Sequence, residues 1–154
     1  MTNTPLCKER LSSLLIPELM KESPMTTQCT GPLNHLSLPT KDPIATAAFF
    51  ERHFGCRIIA VGEHILLERD GFDIVLDHTN DDISWPANFH FGFEMATLAE
   101  VKQLYRTFKA LGVPMETEVF NNTRGSRFFC RMPEGIMIEV NTREDREGGW
   151  RKLF

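Results

Sequence analysis

Three side chains far apart in the chain, His35, His90 and Glu139, are the ones whose types suit metal chemistry. Two imidazoles and one carboxylate that converge form a facial triad. Such a triad holds Fe(II), Mn(II) or Zn(II) and leaves positions open for substrate or water. An ion held this way binds two neighbouring substrate oxygens and stabilises a developing oxyanion. The separations, 55 and 49 residues, match no local metal motif. A lone histidine on a strand is more often structural, so the elements that place these residues decide the matter.

Those elements follow from hydrophobic period and turn chemistry. Residues 33–38 alternate like a strand. Pro43 opens a helical stretch with Ile44, Ala47, Ala48, Phe50 and Phe54 on one face, and Gly55 stops it. Strands come next at Arg57 to Val61, Ile65 to Leu67 and Phe72 to Leu76, the last two joined across Asp70-Gly71, a strong hairpin signal. The order then repeats. Phe89 to Phe93 reads as a strand, Leu98 to Leu111 as a helix capped by Gly112, and Val113 to Phe120, Ser126 to Met132 and Ile136 to Val140 as strands. Pro133 and Gly135 take the second and fourth places of a type I turn. The sequence therefore predicts β-α-β-β-β twice, over about 33–80 and 87–142.

Alternation assigns the faces. Leu36 and Leu38 share one face of the first strand, His35 and Ser37 the other. Phe89, Phe91 and Phe93 oppose His90, Gly92 and Glu94. Ile136, Ile138 and Val140 oppose Met137, Glu139 and Asn141. The oily faces must bury against the helices. The opposite faces present His, His and Glu from three strands and suit a concave cavity.

Composition bounds the function. The 154 residues suit one domain, with 42% hydrophobic and 25% charged residues, as in a soluble globular chain. The net charge of −4 argues against a nucleic-acid surface. No apolar run approaches the ~18 residues of a membrane span. Cys7, Cys29, Cys56 and Cys130 form no C-x-x-C pair, so reduced thiols and a cytoplasmic location are expected. Residues 1–31 read as an N-terminal arm or linker before a single domain at 32–154. Leu11, Leu14, Leu15 and Leu19 make a short helical stripe that Pro17 interrupts, and a polar linker comes after it. Met25 is a second possible start.

The segments Asn34-His35-Leu36-Ser37-Leu38, Phe89-His90-Phe91-Gly92-Phe93 and Met132-Pro133-Glu134-Gly135-Ile136-Met137-Ile138-Glu139, on a doubled β-α-β-β-β frame, resemble the vicinal oxygen chelate superfamily. Glyoxalase I, bleomycin-resistance proteins, fosfomycin-resistance proteins and extradiol dioxygenases belong to it. The resemblance covers residues 33 to about 142. It implies an α+β fold, two βαβββ modules forming a curved mixed sheet around a metal-binding cavity. It also implies a divalent ion (Fe, Mn, Zn or Ni) on His35, His90 and Glu139.

The departures and further matches concern the rest of the site. Glyoxalase I carries another ligand where this chain has Val75, which cannot ligate; Asp73, Asp77 and His78 are the substitutes if the register slips by two. Ser37 fits the hydroxyl position of the fosfomycin thiol transferases, whereas Val119 and Phe129 stand at their Lys and Tyr positions. An extradiol dioxygenase needs an acid–base group, for which His64 and His78 lie near strand ends. Arg124 and Arg127 can offer planar donors to an anionic substrate. The expected catalytic set is Ser37, His78 and Arg124. His53, Tyr105 and Cys130 are expected to be structural. The resemblance further implies a homodimer, with His35 of one chain facing His90 and Glu139 of its mate; uncovered sheet edges point the same way. The expectation is a metal-dependent enzyme acting on a small molecule that chelates through vicinal oxygens, with no nucleic-acid or membrane partner. The alternative is a drug-sequestering protein without turnover, in which Phe72, Trp85 and Phe120 stack on a flat ligand.

Overall fold

The computed structural model describes residues 31–149 and 151. The chain divides into two compact units, Met1–Pro32 and Leu33–Phe154. The expected N-terminal arm lies outside the described residues, and the second unit carries all the described elements.

These elements run β1 (His35–Thr40), α1 (Pro43–Phe54), β2 (Arg57–Val61), β3 (His64–Arg69) and β4 (Phe72–His78). They continue as β5 (His90–Met95), α2 (Leu98–Ala110), β6 (Phe120–Asn121), β7 (Ser126–Arg131) and β8 (Met137–Thr142). The predicted repeat is present as two four-stranded mixed sheets, ordered β1-β4-β3-β2 and β5-β8-β7-β6. Each sheet pairs its first strand in parallel with its last, and the other pairs are antiparallel. That parallel pairing requires a crossover, and the helix supplies it.

Local chemistry sets the boundaries. Asp42 caps α1 by accepting from the Ala45 amide at 2.9 Å, Pro43 occupies the first turn, and Gly55 closes the helix at φ +64°. Thr97 and Glu100 form a reciprocal capping box at the start of α2. Each such cap is worth about 1 kcal/mol. The Asp70-Gly71 turn has φ +53° and +80°, the conformation a two-residue hairpin demands.

One expected strand is largely missing. Residues 113–120 contribute only a bridge from Met115 to Cys130 and the start of β6. The Glu116 and Thr117 amides both donate to the Phe129 carbonyl, and the Thr117 hydroxyl accepts from the Phe129 amide. A side chain thus replaces a backbone partner and the ladder breaks.

The apolar faces meet in one core. Helix α1 packs on β3 and β4 and α2 on β7 and β8. Phe54 stacks on Phe93 with centroids 4.4 Å apart, and Phe50 on Phe91 at 6.2 Å. The phenylalanines of β5 are therefore clamped by the helix of the first module. Each buried aromatic contributes roughly 1.5–3 kcal/mol. Polar links add to this: Glu134, in the β7–β8 turn, accepts from the Lys41 amide at 2.9 Å and the Thr40 hydroxyl at 3.1 Å. Tyr105, Cys56 and Cys130 are buried in the core, and burial pushes the Cys130 thiol up to about 12, so it stays neutral.

Candidate metal centre

His90 opens β5 and Glu139 lies in the middle of the neighbouring β8. Parallel pairing sets Gly92 opposite Glu139, so the imidazole two residues earlier shares the face of the carboxylate. Nε2 of His90 lies 3.6 Å from Oε2 of Glu139. That is too long for a hydrogen bond. It is short enough for one ion to span at about 2.1 Å per bond. The Asn88 carbonyl accepts a hydrogen bond from Nδ1 of His90 at 2.8 Å. A carbonyl only accepts, so Nδ1 carries the proton and the Nε2 lone pair is left for a ligand.

Gly92 makes the carboxylate possible. A Cβ there would lie 3.1 Å from the Glu139 carbonyl oxygen and 3.3 Å from its Cβ. Glu139 is only 5% exposed and Asn141, two residues on, only 6%. Alternation predicts a polar face here; the structure buries Glu139 and Asn141 on β8, while His90, Gly92 and Glu94 on β5 are exposed. Burying a carboxylate requires a partner. Arg127, on the adjacent β7 and 1% exposed, donates from Nη1 to Oε1 of Glu139 at 3.2 Å. Burial lowers the Arg127 pKa, opposed by Glu139 and reinforced by Arg124 and Arg143. A guanidinium nonetheless stays charged. Phe129 sets its ring edge-on to His90 with centroids 5.2 Å apart, walling the other side. Oδ1 of Asn141 is buried without a hydrogen-bond partner, an acceptor left over for a ligand donor.

His35 opens β1 as His90 opens β5, and its Nδ1 faces Oδ1 of Asn34 at 2.9 Å. Its Nε2 is thus prepared in the same way. Both histidines line a cavity of about 510 Å³ whose walls include Leu36, Phe72, Phe91 and Phe93. Glu139 does not line that cavity. Among the described residues no group of three His, Cys, Asp or Glu side chains is arranged to hold an ion. One copy of the chain places His90 beside Glu139, and His35 shares a cavity wall with His90. The donor set fits a divalent ion: imidazoles whose Nδ1 atoms are engaged by oxygens, leaving Nε2 for a ligand, and a carboxylate fixed by a buried cation.

The other expected residues fall differently. Ser37 donates to Oδ2 of Asp77, whose Oδ1 lies 2.6 Å from Nδ1 of His64. Val75 sits opposite Ser37, as Glu139 sits opposite Gly92, so the register does not slip and no carboxylate takes that position. His78 is the last residue of β4 and pairs with Thr40. Alternation sets it with Leu76 and Ile74, on the face opposite Ser37. Arg124 is half-buried in the loop before β7, where its carbonyl accepts from Arg143 at 2.8 Å. Trp85 stacks on Phe89 rather than standing free, and its indole donates to the Glu134 carbonyl. His53 packs on Phe49 and Phe108. Its pKa is lowered, chiefly by burial and then by Arg52, so the helix-end cation is not favoured there.

The partners of the ligands escape sequence reasoning. Arg127 reads as a substrate donor, yet its odd-numbered position puts it on the Phe129 face, in register with Asn141 and beside Glu139. That signal is present in the alternation. The tie from Ser37 to Asp77 carries the same alternation signal, since Val75 opposite Ser37 puts Asp77 on the Ser37 face.

The family model described as the Glyoxalase/Bleomycin resistance protein/Dioxygenase superfamily matches residues 32–140. The chain belongs to that superfamily. None of the curated proteins matches it. Solved structures do. A possible glyoxalase from Bacillus cereus is 25% identical over 73% of this chain and 99% of its own, with a TM-score of 0.64. Lactoylglutathione lyase from Agrobacterium tumefaciens is 21% identical over 75% and 96%, TM-score 0.61. The fosfomycin resistance protein FosX from Listeria monocytogenes, solved with Mn(II) and sulfate, is 21% identical over 75% and 91%, TM-score 0.65. At those last two identities the likeness is one of fold. Members of the superfamily thus share this doubled frame around different chemistries.

Proposed function

We propose that this chain is a metal-dependent enzyme acting on a small molecule that presents two neighbouring oxygens to the ion. The observation that carries the reading is the open 3.6 Å gap between Nε2 of His90 and Oε2 of Glu139, with Nδ1 of His90 already committed. His35 of a second copy would complete the set in a homodimer, a reading supported by the lack of any three-ligand group among the described residues of one chain. The FosX structure with Mn(II) supports a divalent ion, and Fe, Mn, Zn and Ni all suit this donor set.

When bound, such an ion supplies Lewis acidity to the chelating oxygens. The chain's own groups do the remaining work. Asp77 holds the Ser37 hydroxyl through Oδ2, so a proton released by substrate passes to Ser37 Oγ as Ser37 gives its own to Asp77. His64 Nδ1, 2.6 Å from the other oxygen of Asp77, holds that carboxylate in place. Phe129 walls one side of the His90 imidazole with its ring edge-on. Arg124 is the candidate donor to an anionic part of the substrate. His78 is left out of the set because of its face. Lyase, thiol or epoxide transfer and ring cleavage all fit such a site. The buried free thiols Cys56 and Cys130 suit a cytoplasmic protein.

Metal analysis of protein purified without chelator tests the reading. About one transition-metal ion per chain, lost in both His90→Ala and Glu139→Ala, is expected. Metal-free protein would overturn it. The second reading, sequestration without turnover, is favoured by the aromatic walls of the 510 Å³ cavity. It predicts that metal-free protein binds a flat apolar ligand and that Glu139→Ala binds it equally well.

A further inference from the structure

The buried pair behind the centre has consequences for how the ion would be held. Glu139 has two oxygens with different fates. Oε1 accepts from Nη1 of Arg127 at 3.2 Å, while Oε2 faces His90. Arg127 is not free to turn away. Its Nε and Nη2 both donate to the Gly125 carbonyl, at 3.3 and 3.1 Å. That carbonyl is itself fixed. Gly125 has φ +106°, and a Cβ on it would lie 2.0 Å from the Thr142 carbonyl oxygen, so the loop closes on β8 as only glycine allows. The guanidinium is therefore a built counter-ion, shielded from solvent and braced by backbone.

We propose that Arg127 is a positioning residue that commits one oxygen of Glu139 and limits the carboxylate to a single bond to the metal. The inference rests on the metal reading above. A carboxylate with both oxygens free can chelate an ion through both. Here only Oε2 is available, and one more position stays open for ligand. Arg127 thus weakens the grip on the ion and keeps the ion open.

The test uses Mn(II) and the full-length protein, freed of metal. Free Mn(II) is read by electron paramagnetic resonance and exchangeable waters on bound Mn(II) by proton relaxation, with near-ultraviolet circular dichroism reporting the fold. Arg127→Met is expected to bind Mn(II) about tenfold more tightly, with fewer exchangeable waters, because a cation is removed and Oε1 is released. A merely structural role predicts the opposite, weaker binding from a displaced carboxylate. Folded Arg127→Met with equal or weaker affinity, or an unchanged water count, would overturn the proposal. Should Arg127→Met not fold, Arg127→Lys decides. It keeps the charge and a donor to Oε1, so affinity within about threefold of the parent and an unchanged water count are expected. A larger change in either contradicts the inference. A parent protein that binds no Mn(II), Zn(II), Fe(II) or Ni(II) would sink the metal reading and this inference together, whereas a parent that binds metal isolates the fate of Arg127.

Discussion

The two modules correspond register for register, and their polar faces have diverged at nearly every matched position. His35 corresponds to His90, Ser37 to Gly92, Val75 to Glu139, Asp77 to Asn141 and His64 to Arg127. Each sheet opens its first strand with a prepared imidazole and carries a basic residue near the start of its third strand, His64 or Arg127, matched in register. In the first, His64 pairs with the carboxylate directly opposite, and both are substantially exposed. In the second, Arg127 reaches diagonally to Glu139, and both are buried. The first module thus keeps its ion pair near solvent, and the second fixes its own out of solvent. The difference teaches that a duplicated frame constrains only the oily faces, which must fit one core. The opposite faces are free to divide a task.

The comparison breaks most visibly at its buried pair. Replacing Glu139 with Leu leaves the Arg127 guanidinium buried and unpaired, and stability should fall by about 3–5 kcal/mol in denaturant unfolding. The matched change in the first module, Val75→Ala, removes part of a half-buried side chain and should cost about 1 kcal/mol. Equal losses would mean that the two faces are not differently built.

The glycine beside Glu139 is next. Gly92→Val forces a branched Cβ against the Glu139 backbone, already at contact for a single carbon, and should cost about 1–3 kcal/mol and displace the carboxylate from His90. Ser37→Ala at the matched position should leave stability within about 0.5 kcal/mol while lowering turnover, because only an exposed hydrogen bond is lost. Crystal structures of both variants report the displacement.

Asn141 offers a change of opposite sign. Its buried Oδ1 has no hydrogen-bond partner, so Asn141→Leu should raise stability by about 1 kcal/mol and weaken ligand binding. A stability loss would show that the amide is satisfied in solution.

The smallest effect is a pH dependence outside both faces. The unfolded chain binds a proton at His53 near its ordinary value of 6.5, and the folded chain binds it less readily. Stability therefore falls as pH drops through about 6.5 and levels out below the folded value. His53→Phe should flatten that slope in thermal unfolding measured between pH 7.5 and 5.

Much of this frame is legible in the sequence because it rests on local chemistry. Asp42-Pro43, Gly55, Asp70-Gly71 and the Phe89-Phe91-Phe93 stripe each act through neighbours in the chain. Residues 113–120 fail as a strand because Thr117 supplies a side-chain acceptor in place of the backbone, which propensity does not register. Within the site, alternation puts His90 and Glu139 on one side, and the structure agrees. The burial of Glu139 and the brace on Arg127 depend on how segments far apart in sequence stack, and no spacing encodes that. His78 illustrates the cost of reading position without face. Its place at a strand end suggests reach, whereas its even number sets it with Leu76 toward the helix.

Complementation between two defective copies tests most directly whether the modules share one centre across chains. Neither His35→Ala nor Glu139→Ala should retain metal alone. Refolded together, a mixed pair of chains regains one complete set: His35 of the Glu139→Ala copy beside His90 and Glu139 of the other. Recovery of about one ion per mixed pair, read by native mass spectrometry, is the expected result. Mixed pairs that form and stay empty, or a His35→Ala protein that keeps its metal, would contradict a centre shared between chains.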